Sequence, residues 1–241
     1  MTARLYGVGV GPGAPDLLTL RAIRVLREAD VLATPRSADG AESIAGAIAR
    51  SAVGEIAGQE ILPVTFPMTR DPARRRAALE TTLQSIGARL AAGKTVAVVS
   101  EGDPLLYSSF IDVLRAAPER FPGVPVEVIP GVSSITAAAA AAAVPLVDGA
   151  ERLAVLPARA AIEELPRLAG TFDAAVILKA GPVLPELAAA LERAGLADRA
   201  ILVSAATTPR EEVVRGLRGV REPRGYFSLV IVPGSDGGGD A

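Results

Sequence analysis

Short apolar runs alternate along this chain with longer segments in which apolar residues return every three or four positions. The first run, residues 5–10, reads as a strand. Leu17, Leu20, Ile23 and Leu26 follow at helical spacing, with Asp16 placed as the N-cap. Residues 30–35 read as a second strand, ending at Pro35. Strand, helix and strand in that order predict a parallel sheet. The pattern continues with a helix over 41–51, a strand over 60–66 and a long amphipathic helix over 71–90. That helix opens on Asp71-Pro72, a cap followed by Pro at the first helical position. Residues 96–99 form an apolar strand, 110–116 a helix and 122–129 a strand. A helix over 135–143 comes next, with Ser133 or Ser134 as its N-cap; the seven alanines at 137–143 allow very close packing against a sheet or a ligand.

After Val144-Pro145 the pattern changes. Strands are expected over 152–157, 174–179, 199–205 and 226–232, helices over 162–168 and 184–193, and a hairpin-like arrangement near 213–220. The expected architecture is therefore two α/β domains: residues 1–129 with a parallel sheet, and residues 130–236, a size typical of domains. Residues 237–241 are expected to form a disordered tail.

Composition narrows the chemistry. The chain has no cysteine and no histidine, which removes disulfides, thiolate nucleophiles, Fe–S clusters and Cys/His zinc sites, and also any imidazole acid–base step. No metal is expected. Any reaction must use Asp, Glu, Lys, Tyr, Ser, Thr, backbone groups or a reactive cosubstrate. Aromatic residues make up 3 %, too few for base-stacking platforms. A net charge of −2, from 25 basic and 27 acidic residues, lacks the basic footprint of a nucleic-acid binder. Met1 leads directly into a strand-like run with no secretory pattern, and the least polar stretch, residues 132–147, is too short and polar to span a bilayer. A soluble, cytoplasmic protein is expected.

Three strand-to-turn segments stand out. The first is Gly9-Val10-Gly11-Pro12-Gly13, with Asp16-Leu17-Leu18-Thr19-Leu20-Arg21-Ala22 after it. Its glycines give a G-x-G-x-x-A match to the dinucleotide fingerprint, but Pro12 and Pro15 remove N–H donors, and Arg36 stands where the ribose-binding acid belongs. A nucleotide dehydrogenase is disfavoured, and a tight turn without a ligand stays open. The second segment is Ser100-Glu101-Gly102-Asp103-Pro104-Leu105-Leu106-Tyr107, and the third is Val128-Ile129-Pro130-Gly131-Val132-Ser133-Ser134. Ligands of open α/β sheets bind beyond the carboxyl ends of the strands, where such turns lie. In the second, Gly102 permits close backbone approach and Asp103 supplies a fixed acceptor.

Taken in order and at this spacing, the three motifs resemble those of the tetrapyrrole methyltransferases, which methylate cobalamin and sirohaem precursors with S-adenosylmethionine. The resemblance runs from the first strand to Tyr226-Phe227-Ser228-Leu229-Val230-Ile231-Val232. Thr34-Pro35-Arg36-Ser37, Glu101, Tyr107, Leu178-Lys179-Ala180-Gly181 and Tyr226-Phe227-Ser228 are most similar to the branch acting at C20 of precorrin-2. The resemblance implies two α/β domains with the methyl donor folded into the cleft between them, and a homodimer. It implies donor contacts from Pro12, Glu101, Gly102, Asp103, Leu106, Ser133, Ser134, Lys179, Ala180, Ala206 and Thr207, and precorrin-2 or its cobalt form as substrate.

Methyl transfer from a sulfonium is an in-line displacement that needs alignment above all. The proton lost from the substrate could pass to Glu101, Tyr107, Lys179 or solvent. Substrate carboxylates call for Arg or Lys, with Arg21, Arg36, Arg70, Arg74 and Lys179 as candidates. Arg74, Arg75 and Arg76 also read simply as a solvated helix face. Methylases acting at other ring positions or on other acceptors, and a non-catalytic nucleotide-binding module, stay open as alternatives.

Overall fold

The structure is a computed structural model that describes residues 3–36, 43–67, 69, 71–168 and 170–234. The chain divides into two compact units, Met1–Ser133 and Ser134–Ala241.

The first unit is built on β4 (Thr95–Ser100), whose apolar run is buried on both faces. It lies between β2 (Val31–Arg36) and β1 (Arg4–Gly9), with β3 (Glu60–Thr65) and β5 (Val126–Ile129) at the edges, in the order β3-β2-β4-β1-β5. All pairings are parallel. A parallel sheet must be covered on both faces, because its crossover helices pack there. Alternate strand residues accordingly feed two cores. Val8, Leu32, Ala97 and Val99 meet α1 (Leu20–Glu28) and α2 (Ile44–Val53), whereas Leu5, Ala33, Val96 and Val98 meet α3 (Pro72–Ala91) and α4 (Phe110–Arg120). The helix after β1 and the helix after β4 thus cover opposite faces although the strands are neighbours. This is a topological switch point, and it opens a crevice at the carboxyl ends of β1 and β4.

Local chemistry moves several boundaries. Asp16 does not cap α1: Pro15–Leu17 is a single 3-10 turn, and the cap is Thr19, whose Oγ1 accepts from the Ala22 N–H at 3.1 Å. The split takes Leu17 and Leu20 off a common helical stripe. Leu20 is 86 % exposed, and Ala22, Val25 and Leu26 supply the buried face. The Asp71 cap is in place, with Oδ1 accepting from Ala73 and Arg74. α4 runs on through Pro118 to Arg120, beyond the expected end at 116. The turn at Phe121–Val124, closed by the Val124 N–H on the Phe121 carbonyl with Gly123 at φ 79°, takes up residues expected to open β5.

The second unit holds a mixed sheet ordered β6-β7-β10-β8-β9. Its strands are β6 (Leu153–Pro157), β7 (Ala174–Leu178), β8 (Ile201–Ser204), β9 (Glu212–Arg215) and β10 (Ser228–Val232). Only β6 and β7 pair in parallel; β10 runs antiparallel to both β7 and β8. The alanine-rich helix α5 (Ser134–Ala142) lies on one face, where Ala138, Ala139 and Ala142 pack against Val176, Ile201, Val203 and Ile231. The other face is covered by α6 (Ala158–Leu168) and α7 (Leu184–Arg193). α6 starts four residues before the expected 162, directly after β6. No separate hairpin forms near 213–220, because β9 pairs back onto β8 instead. No helix among the described residues is long and apolar enough to cross a membrane. The expected tail, 237–241, lies outside the described residues.

The bare backbone of β1 makes room for the largest fully buried side chain. A Cβ on Gly7 would stand 2.2 Å from the Phe110 ring. Gly7→Ala should therefore destabilise the protein by about 1–3 kcal/mol, as overpacking does. Pairing it with Phe110→Leu should cost less than the sum of the two single changes in urea unfolding.

Candidate functional site at the strand ends

The three turns singled out in the sequence follow β1, β4 and β5 and meet at the switch point. The Val10 N–H donates to the Ser100 carbonyl at 2.9 Å, and the Gly102 N–H donates to the Gly11 carbonyl at 2.8 Å, which makes an antiparallel bridge between Gly11 and Gly102. The Gly102 carbonyl is packed from two sides. A Cβ on Gly131 would lie 2.2 Å from that oxygen, and one on Gly9 would lie 2.6 Å from it and 2.6 Å from the Gly131 nitrogen. Gly11 and Gly102 have φ of 76° and 63°, in the left-handed region.

Asp103 ties the second turn to the third. Its Oδ1 accepts from the Leu105 N–H at 2.8 Å, and its Oδ2 accepts from the Gly131 N–H at 3.1 Å. Beneath the turn, the Ser108 hydroxyl donates to the buried Ser100 hydroxyl at 2.9 Å and accepts from the Phe110 N–H at 3.1 Å. On this frame Leu105, Leu106 and Tyr107 stay exposed, Tyr107 with φ 53°. Pro12 is half-buried next to Gly11, and Ser133 is half-buried two residues after Gly131. Pro12, Glu101, Gly102, Asp103, Leu106, Tyr107 and Ser133 are thus brought to the carboxyl ends of the strands of the first sheet.

Glu101 is exposed in this turn, but surrounding protein desolvates its carboxyl enough to raise its pKa. A hydrogen bond from the Ala45 N–H, in the first turn of α2, acts in the opposite direction. The carboxyl thereby joins the turn after β4 to the helix after β2.

The second unit has its own convergence. The Ala180 N–H donates to the Ser228 carbonyl at 3.0 Å and the Ala205 N–H to the Phe227 carbonyl at 2.7 Å. The segment before β10 thus runs between the loops after β7 and β8. A Cβ on Gly181 would overlap the Gly225 carbonyl at 1.9 Å. Ala180 is fully buried, Ala206 is half-buried, Lys179 is exposed, and the Thr207 N–H donates to Glu211 at 2.6 Å. Tyr226 and Phe227 stand exposed beside them as an edge-to-face pair, ring centroids 5.4 Å apart. Ser134 is the first residue of α5. A cavity of about 450 Å³ lies at the other end of this sheet, around Arg199, Arg215 and Pro233, and no predicted site residue lines it.

Left-handed backbone outside glycine occurs at five described residues: Tyr107, Ala143, Lys179, Ala205 and Thr207. Four of the five sit in the two loop clusters. Such conformations cost of order 1–3 kcal/mol each and gather at functional sites.

The arginines divide. Arg21 pairs with Glu127 of β5, which Arg4 also approaches at 3.6 Å. Arg74, highly exposed, faces its own helix cap Asp71 at 3.6 Å, and Arg75 reaches Asp112 at 3.5 Å. Arg36 is exposed at the carboxyl end of β2. Arg70 lies outside the described residues.

A family model described as tetrapyrrole (corrin/porphyrin) methylases matches residues 4–219. The chain belongs to that family. It is 38 % identical to a precorrin-2 C(20)-methyltransferase of a Sinorhizobium species, with 96 % of this chain and 95 % of the relative covered. It is 35 % identical to the cobalt-precorrin-2 C(20)-methyltransferase of Salmonella typhimurium, covering 96 % and 97 %. Among solved structures, the uroporphyrin-III C-methyl transferase from Thermus thermophilus complexed with S-adenyl homocysteine matches with a TM-score of 0.65 at 26 % identity, over 95 % of this chain and 96 % of that one. This tetrapyrrole methylase therefore has its three motifs at a switch-point crevice of the first unit.

The glycine contacts and the Asp103 ties were only half legible in the sequence. Gly9, Gly11 and Gly131 stood in the motifs, but their shared partner, the Gly102 carbonyl, follows from strand order. Gly181 and Ser228 stood within segments that carry the family resemblance, but the close approach of Gly181 to the Gly225 carbonyl and the Ala180 bond to Ser228 carried no signal there.

The αL backbone at Lys179 separates two roles of that residue. Lys179→Gly should be more stable than Lys179→Ala by about 1 kcal/mol in thermal unfolding, because glycine relieves the left-handed strain that alanine keeps. Both variants remove the amine, so an equal loss of any activity would assign that loss to the side chain.

Proposed function

We propose that the chain transfers a methyl group from S-adenosylmethionine to C20 of precorrin-2 or of its cobalt form, in cobalamin biosynthesis. The observation that carries this reading is near-full-length identity of 35–38 % to relatives of that named activity. A cobalt-precorrin-4 C(11)-methyltransferase from Priestia megaterium matches over only 58 % of the chain, which favours C20 over that ring position.

The residues present suit such a donor. The first loop cluster offers close-packed backbone at glycine positions beside exposed Leu105, Leu106 and Tyr107, the mixture that a nucleoside with an aliphatic sulfonium arm requires. Pro12, Glu101, Gly102, Asp103, Leu106 and Ser133 are proposed to form the donor site of the first unit. Ser134, Lys179, Ala180, Ala206 and Thr207 are proposed as its contacts from the second. When bound, the donor supplies an already activated methyl carbon. What remains for the chain is to align, exclude water and receive a proton; alignment of this kind is worth about 7–11 kcal/mol of barrier.

Of the three proton acceptors considered, Glu101 is favoured. It lies on the turn proposed to hold the donor, and desolvation of its carboxyl by surrounding protein raises its pKa, the direction that favours a general base. Arg36 is the favoured carboxylate ligand for the substrate, because Arg21 and Arg74 already face acidic partners. A homodimer in the cytoplasm belongs to the same proposal, on the family's usual assembly; the mass from light scattering tests it.

Incubation with the donor and either form of precorrin-2 should add one methyl at C20, read by mass spectrometry and NMR. No methylated macrocycle from either form would refute the assignment, and donor binding without turnover on any acceptor would point to a binding module. Glu101→Gln should lower kcat by about a hundredfold or more, as loss of a general base does, and should abolish the acid limb of the pH–rate profile. Stability has its own sign: a carboxyl with a raised folded-state pKa stabilises the fold at low pH, and that contribution is lost as pH rises through the raised value. Relative to the wild type, the Gln variant should therefore gain stability as pH increases. Arg36→Ala should raise KM for the tetrapyrrole about tenfold, the loss of one charge-assisted bond, and leave donor affinity alone.

A further inference from the structure

The second sheet ends at β9, and among the described residues no strand pairs with the side of β9 that faces away from β8. An open edge is a row of unpaired N–H and C=O groups, which proteins commonly blunt with proline, lysine or a bulge. The outer strand β3 of the first sheet, for example, carries Pro63. β9 reads Glu-Val-Val-Arg, with no proline, no lysine and an unbroken register on β8.

The ladder fixes which groups that edge offers. The Gly216 N–H donates to the Ala200 carbonyl at 2.9 Å, and the register continues with Val214 opposite Leu202 and Glu212 opposite Ser204. Bonded pairs alternate along an antiparallel ladder, so Val213 and Arg215 turn their N–H and C=O groups to the open edge. The Glu211 carbonyl is next in that alternation, while the Glu211 N–H is taken by the Thr208 carbonyl at 3.0 Å. Side chains alternate too. Val214 packs into the core under α6 and α7, and Val213 into the core under α5. Glu211 and Arg215 therefore lie on the α5 side, two positions to either side of Val213, and both are exposed. Each is bonded to main chain, Glu211 to the Thr207 N–H and Arg215 to the Ala142 carbonyl, and among the described residues neither has an ion-pair partner.

We propose that β9 pairs antiparallel with β9 of a second copy, joining the two second-unit sheets edge to edge about a twofold axis at Val213. The occupant follows from the edge itself. A twofold axis perpendicular to the sheet sets Val213 against the partner's Val213, and Glu211 against the partner's Arg215 twice over. The outward N–H and C=O groups of the two valines then bond each other, and the Arg215 N–H meets the carbonyl of the partner's Glu211. Glu211 and the partner's Arg215 become directly opposed residues, Cα atoms about 5.5 Å apart, where opposite charges attract. A carboxylate bonded to one N–H and a guanidinium bonded to one carbonyl keep acceptor and donor capacity for this pair. A strand of other sequence has no reason to carry the matching charges at these spacings. The inference rests on the proposed homodimer and gives it an interface; it does not depend on which acceptor receives the methyl group.

The test is the oligomeric state of the full chain, by light scattering and sedimentation. The wild type should be dimeric. Arg215→Glu and Glu211→Arg each set like charges opposite one another at two places and should raise the dimer dissociation constant about tenfold or more. Mixed in equal amounts, the two variants regain both pairs in a heterodimer, and the double variant regains them in a homodimer, so both should return to the wild-type constant. Val213→Pro removes an N–H that β8 does not use and should give a folded monomer with an unchanged circular dichroism spectrum. Dimers that survive all of these substitutions would overturn the inference and leave the homodimer standing on another surface. Dissociation in the single variants without recovery in the mixture and in the double variant would overturn it too. A monomeric wild type would remove the homodimer and this interface together, while methyl transfer is read by its own assay.

Discussion

The packing of the Gly102 carbonyl against Gly9 and Gly131 is the constraint on which the first unit's site depends. Three loops that start from different strands can meet only if their backbones approach closer than side chains allow. Strand order brings them together: β1 and β4 are neighbours, β5 lies on the other side of β1, and the helices after β1 and β4 leave to opposite faces. The crevice this leaves at the strand ends would exist in any sheet of this order. The absence of Cβ atoms turns it into a close-packed backbone surface. The apolar interior underneath, with Phe110 filling the space left by Gly7, gives that surface a rigid floor.

Much of this was legible in the residues. The parallel sheet followed from short apolar runs separated by helical periodicity, and the loops of interest were marked by glycine and proline at strand ends. Helix limits were less legible where two local preferences competed. Asp16 and Thr19 both suit an N-cap, and Pro15 decided the matter by favouring a tight turn before the helix proper. Pro118 would be expected to end a helix, yet α4 carries it in its last turn. Beyond it, the Phe121 N–H still finds the Ala117 carbonyl. In the second unit, β9 fell within a stretch that read as a local hairpin; its partner turned out to be β8, because a nearby strand with an open edge competes with any short turn.

Candidate site residues were legible to the extent that their geometry resides in backbone. Glycines and the acidic turn residue announce themselves by type. Arginines do not, because a solvated face and a ligand site use the same residue in sequence. Ion pairing separates them: Arg21 is drawn to the edge strand through Glu127, and Arg75 links α3 to α4 through Asp112. The strain at Lys179, Ala205 and Thr207 was invisible as well, since nothing in a lysine, alanine or threonine signals a left-handed backbone. It becomes intelligible once Ala180 and Ala205 are seen to hydrogen-bond the segment entering β10 from both sides, which fixes the loops in conformations their residues would not choose.

A chain without histidine or cysteine, in a family whose reaction starts from an activated methyl group, has little use for strongly reactive side chains. Displacement at such a carbon is governed by alignment, and alignment is lost with small displacements of the reacting groups. Backbone contacts are a sound basis for it, because a main-chain junction has no rotamers to vary. The Asp103 carboxylate fits this logic: it extends the backbone's own hydrogen bonding between loops that share no ladder. Glu101 differs in kind. It is exposed, its pKa is raised by desolvation, and its one described tie is to the first turn of α2. The turn thus carries two acids two positions apart in different surroundings, one tied into the backbone junction and one desolvated beside it.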